Sequence, residues 1–135
     1  MEISLQLAQT MVAAAVDQAK EKFKRPICVA VCDKQGFLLA FARMEGAPLR
    51  SIAISQGKAY TAARMGVDTS AFLERLHREN IQASYFCDDK LTGLPGGVVF
   101  KDSTGAVAGA VGVSGLTSEE DAAIGAVLAA MIPKQ

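Results

Sequence analysis

Residues 93–115 read GLPGGVVFKDSTGAVAGAVGVSG, a glycine-rich loop followed by two strand-like runs across a tight turn. Val98-Val99-Phe100 and Val107 to Val113 are rich in β-branched and small residues, which suit a closely packed sheet. Between them Asp102-Ser103-Thr104-Gly105 puts Asp first and Gly fourth, the pattern of a type I turn with a glycine bulge. The stretch therefore predicts a hairpin. In its second strand Ala108, Ala110, Gly112 and Ser114 share one face, while Val107, Val111 and Val113 lie mainly on the other. A helix or a second subunit can approach the small-residue face closely.

The same signature recurs upstream. Asp33-Lys34-Gln35-Gly36 separates Ile27–Cys32 from Phe37–Ala42, which predicts a second hairpin. Its strands are apolar on both faces, Ile27, Val29 and Val31 opposite Cys28, Ala30 and Cys32, so helices are expected to cover the sheet on both sides. Ser4 can cap a first helix running to about Phe23, with apolar residues at three- and four-residue intervals from Leu5 onward and Pro26 beyond its end. Arg43-Met44-Glu45-Gly46-Ala47-Pro48 feeds a second helix from about Leu49 to Met65, closed by Gly66. Lys58 and Arg64 are its only cations after Arg50, which places Lys58 beside apolar surface.

Asp68 or Thr69 caps a shorter helix, about Ser70 to Arg78, which carries His77, the only histidine of the chain. Ile81–Phe86 reads as a third strand and Leu91–Gly97 as a loop into the hairpin. Thr117-Ser118-Glu119-Glu120 is a capping box that opens the last helix, about Ser118 to Ile132. Beyond its acidic first turn that helix has almost no polar face, so burial on two sides, the second against a neighbouring subunit, is expected. The order of elements gives an α+β fold layered helix, sheet, helix.

At 135 residues the chain is read as one domain spanning 1–135, able to bury roughly two-thirds of its unfolded surface. Fourteen basic residues balance fourteen acidic ones, so no net field favours nucleic acid or an anionic membrane. The N-terminal helix lacks the features of a signal peptide or a membrane span, which gives the expectation of a cytoplasmic protein. Cys28 and Cys32 on one extended strand would stand about 13 Å apart, whereas a disulfide needs Cα atoms within about 7 Å. The three cysteines, with Cys87, are expected to be reduced, and their spacing is not that of a metal site.

Gly57-Lys58 superficially resembles a phosphate loop, but Ala59 stands where Ser or Thr is needed and Ile52 where the first glycine belongs. Neither a Ser-His-Asp or Cys-His motif nor a compelled carboxylate pair is present, so a binding module ranks above an enzyme. The cations Arg43 and Lys58, with Met44 and the Gly96-Gly97 backbone, form a candidate ligand site for a carboxylated planar or small organic molecule. A desolvated Lys58 acting as base or Schiff-base nucleophile is the enzymatic version of that site.

VAVCDKQGFLLAFARMEGAPLRSIAISQGKAYTAAR and GLPGGVVFKDSTGAVAGAVGVSG, followed by the acidic EED start of the last helix, resemble the GlcG/HbpS-like family. That family includes the C-terminal domain of PduO and has also been described as a haem-degrading domain. The resemblance covers nearly the whole chain and implies a profilin-like, three-layer α/β/α fold with a five-stranded antiparallel sheet, assembled as a homo-oligomer. It further implies a haem or corrinoid ligand, in a role accessory to a metabolic pathway, while Arg43, Lys58 and the Gly96-Gly97 backbone suit a small anionic metabolite as well. The alternatives are an enzyme acting on such a ligand and an oligomeric accessory protein with no ligand of its own. Haem would need an axial ligand, for which His77 is the candidate and Met44, Met65, Tyr85 and Cys87 are poorer ones.

Overall fold

Both Asp-x-x-Gly turns form, and by the same hydrogen bonds. Asp33 Oδ1 accepts from Gln35 N at 2.9 Å and Phe37 N at 3.0 Å, and Asp102 Oδ1 accepts from Thr104 N at 2.9 Å and Ala106 N at 3.1 Å. In each, the fourth-position glycine donates its N–H to the aspartate carbonyl. The computed structural model describes residues 1–133. The hairpins contribute β1 (Cys28–Asp33) with β2 (Leu38–Arg43), and β3 (Gly97–Lys101) with β4 (Val107–Ser114). β1 also pairs antiparallel with β4, which gives a sheet of order β2-β1-β4-β3.

The sheet has four strands rather than the expected five. Ile81–Phe86 supplies no strand: Ala83–Phe86 is a single 3-10 turn ended by Cys87 in the left-handed region. Its most apolar residue finds a helix as partner. Phe86 packs edge-on against Phe72 at 5.5 Å, and the Arg75 guanidinium lies 5.3 Å from its ring centroid. These contacts hold the segment against the preceding helix instead of against a sheet edge.

Among the described residues there are four α-helices: α1 (Leu5–Gln18), α2 (Ser51–Met65), α3 (Thr69–Glu79) and α4 (Ser118–Ala129). α1 continues as a π-helical turn to Phe23, and Lys24 ends it in the left-handed region at φ 57°. α1 and α4 bury Met11, Ile124 and Leu128 against Val29, Val31, Val111 and Val113 on one face of the sheet. α2 packs on the other face, where Ala59, Ala62 and Ala63 meet Ala30, Cys32 and Ala110. The small-residue face is therefore filled by a helix of the same chain, and not by a second subunit. Gly112 sets how closely α2 approaches, since a Cβ there would sit 1.8 Å from Ser55 O. Ala108 departs from the expected alternation and joins the α1/α4 side, next to the register shift opposite Phe100/Lys101.

α3 is one residue longer at each end than the reading and carries Asp68 before its first turn. The Asp68 side chain does not cap the helix; it accepts from Val99 N at 3.0 Å and so ties α3 to β3. At α4 the predicted capping box is complete. α2 lies over β1, β4 and β3, and the β2 edge beside it stays open, with Leu38 50% exposed.

Candidate functional site

Lys58, Gly96 and Gly97 do converge, but as packed interior. Lys58 is only 4% exposed, and its Nζ donates to Val113 O at 2.7 Å and to Asp121 Oδ2 at 3.2 Å. Burial holds the Lys58 ammonium below its ordinary pKa, and burial likewise raises the Asp121 carboxyl; each is partly restored by the other's charge. Gly96, at φ +121°, has no side chain to obstruct this pair, since a Cβ there would lie 2.7 Å from Lys58 Nζ. Gly97 N donates to Thr69 Oγ1 at 2.9 Å, so this N–H is already used by the fold. The cation and the loop read from the sequence as a ligand rim are closed by Asp121, a residue the sequence reading assigned to the acidic start of the last helix.

Arg43 and Met44 lie apart from that cluster. Met44 packs against the α1/α4 core, and its Sδ accepts from Ile27 N at 3.4 Å. Arg43 is exposed at the end of edge strand β2, paired in register with Cys28. His77 is exposed in the last turn of α3. Cys28 and Cys32 are buried and unpaired by disulfide, as is the exposed Cys87. Burial raises both buried thiols, Cys32 to about 12. Among the described residues no cluster of His, Cys, Asp and Glu is arranged to hold a metal ion, and no helix is long and apolar enough to cross a membrane.

The open space lies along the flank of α2 that β2 leaves uncovered. There a cleft of about 670 Å³ runs between α2, the end of the first hairpin and the 89–92 loop. Its apolar wall comes from Phe37, Leu38, Ile52, Ala53 and Leu91. Tyr60 stands within it, flanked by two cations: the Arg64 guanidinium is 4.9 Å and Lys90 Nζ 5.5 Å from the ring centroid. Tyr60 Oη donates to Asp88 Oδ2 at 2.5 Å, a bond that keeps the phenol protonated and the Asp88 carboxyl ionised to lower pH. Arg64 Nε donates to Gln35 O at 2.6 Å, which fixes the guanidinium between the hairpin and α2. Beyond Arg64 a smaller polar recess of about 420 Å³ adds Lys34.

None of Tyr60, Lys90 and the apolar wall was singled out in the sequence as a site. Tyr60 and Arg64 stand four apart on one helix, spacing that brings side chains together. Lys90 meets them only because the 88–92 loop folds back over α2, where Thr92 N donates to Thr61 Oγ1 at 2.9 Å. No local signal in the sequence carries that return.

An antiparallel sheet with helices on both faces and an open, apolar-walled cleft beside α2 places the chain in the α+β class. The family model described as "Haem degrading protein HbpS-like" matches residues 3–130, and the chain belongs to that HbpS-like family. Protein GlcG of Escherichia coli K12 is 38% identical over 113 residues, covering 83% of this chain and 81% of GlcG. A crystal structure of a double mutant of Streptomyces reticuli HbpS superposes with a TM-score of 0.86 at 28% identity, covering 98% of this chain and 88% of that one. A PduOC:haem complex gives the same TM-score at 25% identity and covers both chains fully.

Proposed function

We propose that the protein binds haem in the cleft beside α2 and works as a homo-oligomeric accessory protein. Membership of the HbpS-like family and the haem held by the related PduOC favour haem over corrinoid as the ligand. The observation that carries the reading is the pairing of an apolar wall with Arg64 and Lys90 at one end of a single cleft. A porphyrin ring loses water on the wall, and its two propionates meet the two cations. Lys34, in the adjoining recess, adds a third positive charge on the same side. Met44, Lys58, Gly96 and Gly97 serve the fold in this reading, and Arg43 and His77, both exposed and neither lining the cleft, are not used.

Haemin titrated into the purified protein and followed through its Soret band tests the site. Ala53→Trp fills the wall with an indole, and Arg64→Gln with Lys90→Gln removes both cations. Each variant is expected to weaken binding by about tenfold or more while circular dichroism stays that of the parent. A parent protein that leaves the haemin spectrum unchanged, or variants that bind as the parent does, would overturn the proposal.

A further inference from the structure

In the reading just given, the apolar wall and the two cations of the cleft answer a haem's ring and carboxylates, and the iron is the part still to be accounted for. A haem iron takes an axial ligand from a histidine, methionine, cysteine thiolate or tyrosinate. Among the described residues that line the cleft there is no histidine or methionine. Cys32 lies on its floor as a buried thiol, with Sγ donating to Ala59 O at 3.4 Å. Making it a ligand means creating a thiolate inside an apolar layer between β1 and α2, where burial opposes the charge.

Tyr60 is the remaining donor, and its proton is committed to Asp88. Binding iron as a phenolate would release that proton and leave two anions in contact, with Asp89 a third acid on the same loop. Arg64 and Lys90 oppose that cost, but both are then drawn to the phenolate and away from the propionates they would hold. The cleft therefore offers recognition elements for a flat ring and for an acidic edge, and none poised for a metal.

Resting on the reading of this cleft as the haem site, we infer that it selects a tetrapyrrole by ring plane and carboxylate edge and is indifferent to the central iron. The metal-free porphyrin dicarboxylate is then as good a ligand as ferric haem. The ligand class becomes planar tetrapyrrole dicarboxylates, with haem one member.

Protoporphyrin IX and haemin, each titrated into the same protein preparation, decide this. Porphyrin fluorescence reports the first ligand and Soret absorbance the second, and displacement of one by the other reports a shared site. The two dissociation constants are expected within about threefold of each other, and Arg64→Gln to weaken both by the same factor. Tyr60→Phe is expected to leave the bound-haemin spectrum unchanged. Haemin binding tighter by about tenfold or more, or a Tyr60→Phe spectrum that loses a phenolate-to-iron band, would overturn the inference while leaving the haem site standing. If neither molecule binds, the site and the inference fall together.

Discussion

Lys58 of α2 and Asp121 of α4 approach from opposite faces of the sheet and form an ion pair of 3.2 Å, with both side chains 4% exposed. The pair ties the outer two layers together at the end of β4, where Val113 O takes a second hydrogen bond from Nζ and Leu116 N donates to Asp121 Oδ1. Two desolvated charges are costly, and here each is repaid by a partner plus a backbone group. Thr61, about one turn further along the same helix, is likewise buried, and its Oγ1 accepts from Thr92 N. α2 thus carries its polar side chains as fasteners between layers, while its flank forms the cleft.

Lys58→Met should destabilise strongly, since it leaves the Asp121 carboxylate buried without its cation. Removal of one partner of a buried pair costs about 3–5 kcal/mol. The double variant Lys58→Met with Asp121→Leu should recover much of that loss, because no charge is then left uncompensated. Urea-unfolding midpoints of the parent, the single and the double variant measure both effects. A single variant as stable as the parent would show that the pair does not hold the layers together.

Much of the architecture was legible because its signals are local. Two Asp-x-x-Gly turns, a capping box at Thr117–Glu120 and a Gly66 helix stop each act within a few residues, and all four form. The site was not legible for the opposite reason. Lys58 reads as a cation on an apolar helix, and only the fold shows that Asp121, 63 residues on, consumes it. Ile81–Phe86 has β-type residues, but propensity yields where Phe86 gains an aromatic partner on α3. The cleft is assembled from three segments distant in sequence, so periodicity within any one of them is silent about it.

The thiols divide by burial. Cys87 is exposed, whereas Cys28 and Cys32 are buried and Cys32 is pushed up to about 12. Near neutral pH Cys32 therefore stays a thiol, whereas attack on a disulfide reagent needs the thiolate. Colorimetric thiol titration is expected to find one fast-reacting cysteine per native chain and all three after denaturation. Rapid modification of a second thiol in the native protein would mean that α2 lifts readily from β1.

Acid should weaken the second hairpin through Asp102. Its carboxyl is held well below the usual range, first by the Thr104 hydroxyl at 2.6 Å, then by the Thr104 amide, with the N-terminal ammonium and the Ala106 amide adding to the shift. A folded pKa below the unfolded value of about 3.9 binds fewer protons in the native state, so the stabilisation is present above that value and drains as pH falls toward the folded one. Urea midpoints compared between about pH 5 and about pH 3 should fall more steeply for the parent than for Asp102→Asn, which cannot titrate. Equal slopes would assign acid lability to other carboxylates.

α4 presents a second apolar face on which none of the other described residues packs. Ile124 and Leu128 point into the core, while Ala123, Ala126, Val127 and Ala130 are exposed, Val127 by 39%. Its three acids all lie in the first turn, so the outer face carries no charge further along. A second copy of the chain offers a matching surface, and a two-fold contact would bring α4 against α4. Sedimentation velocity at micromolar concentration is expected to show a dimer or a larger closed assembly. Val127→Lys should shift it toward monomer, because two-fold symmetry places the new charge in the contact twice and like charges facing each other in a dehydrated contact repel. The substitution lies outside the core, so unchanged circular dichroism would separate lost association from lost folding. A parent that sediments as a monomer of 14.2 kDa throughout, or a Val127→Lys variant that assembles as the parent does, would remove α4 as the interface.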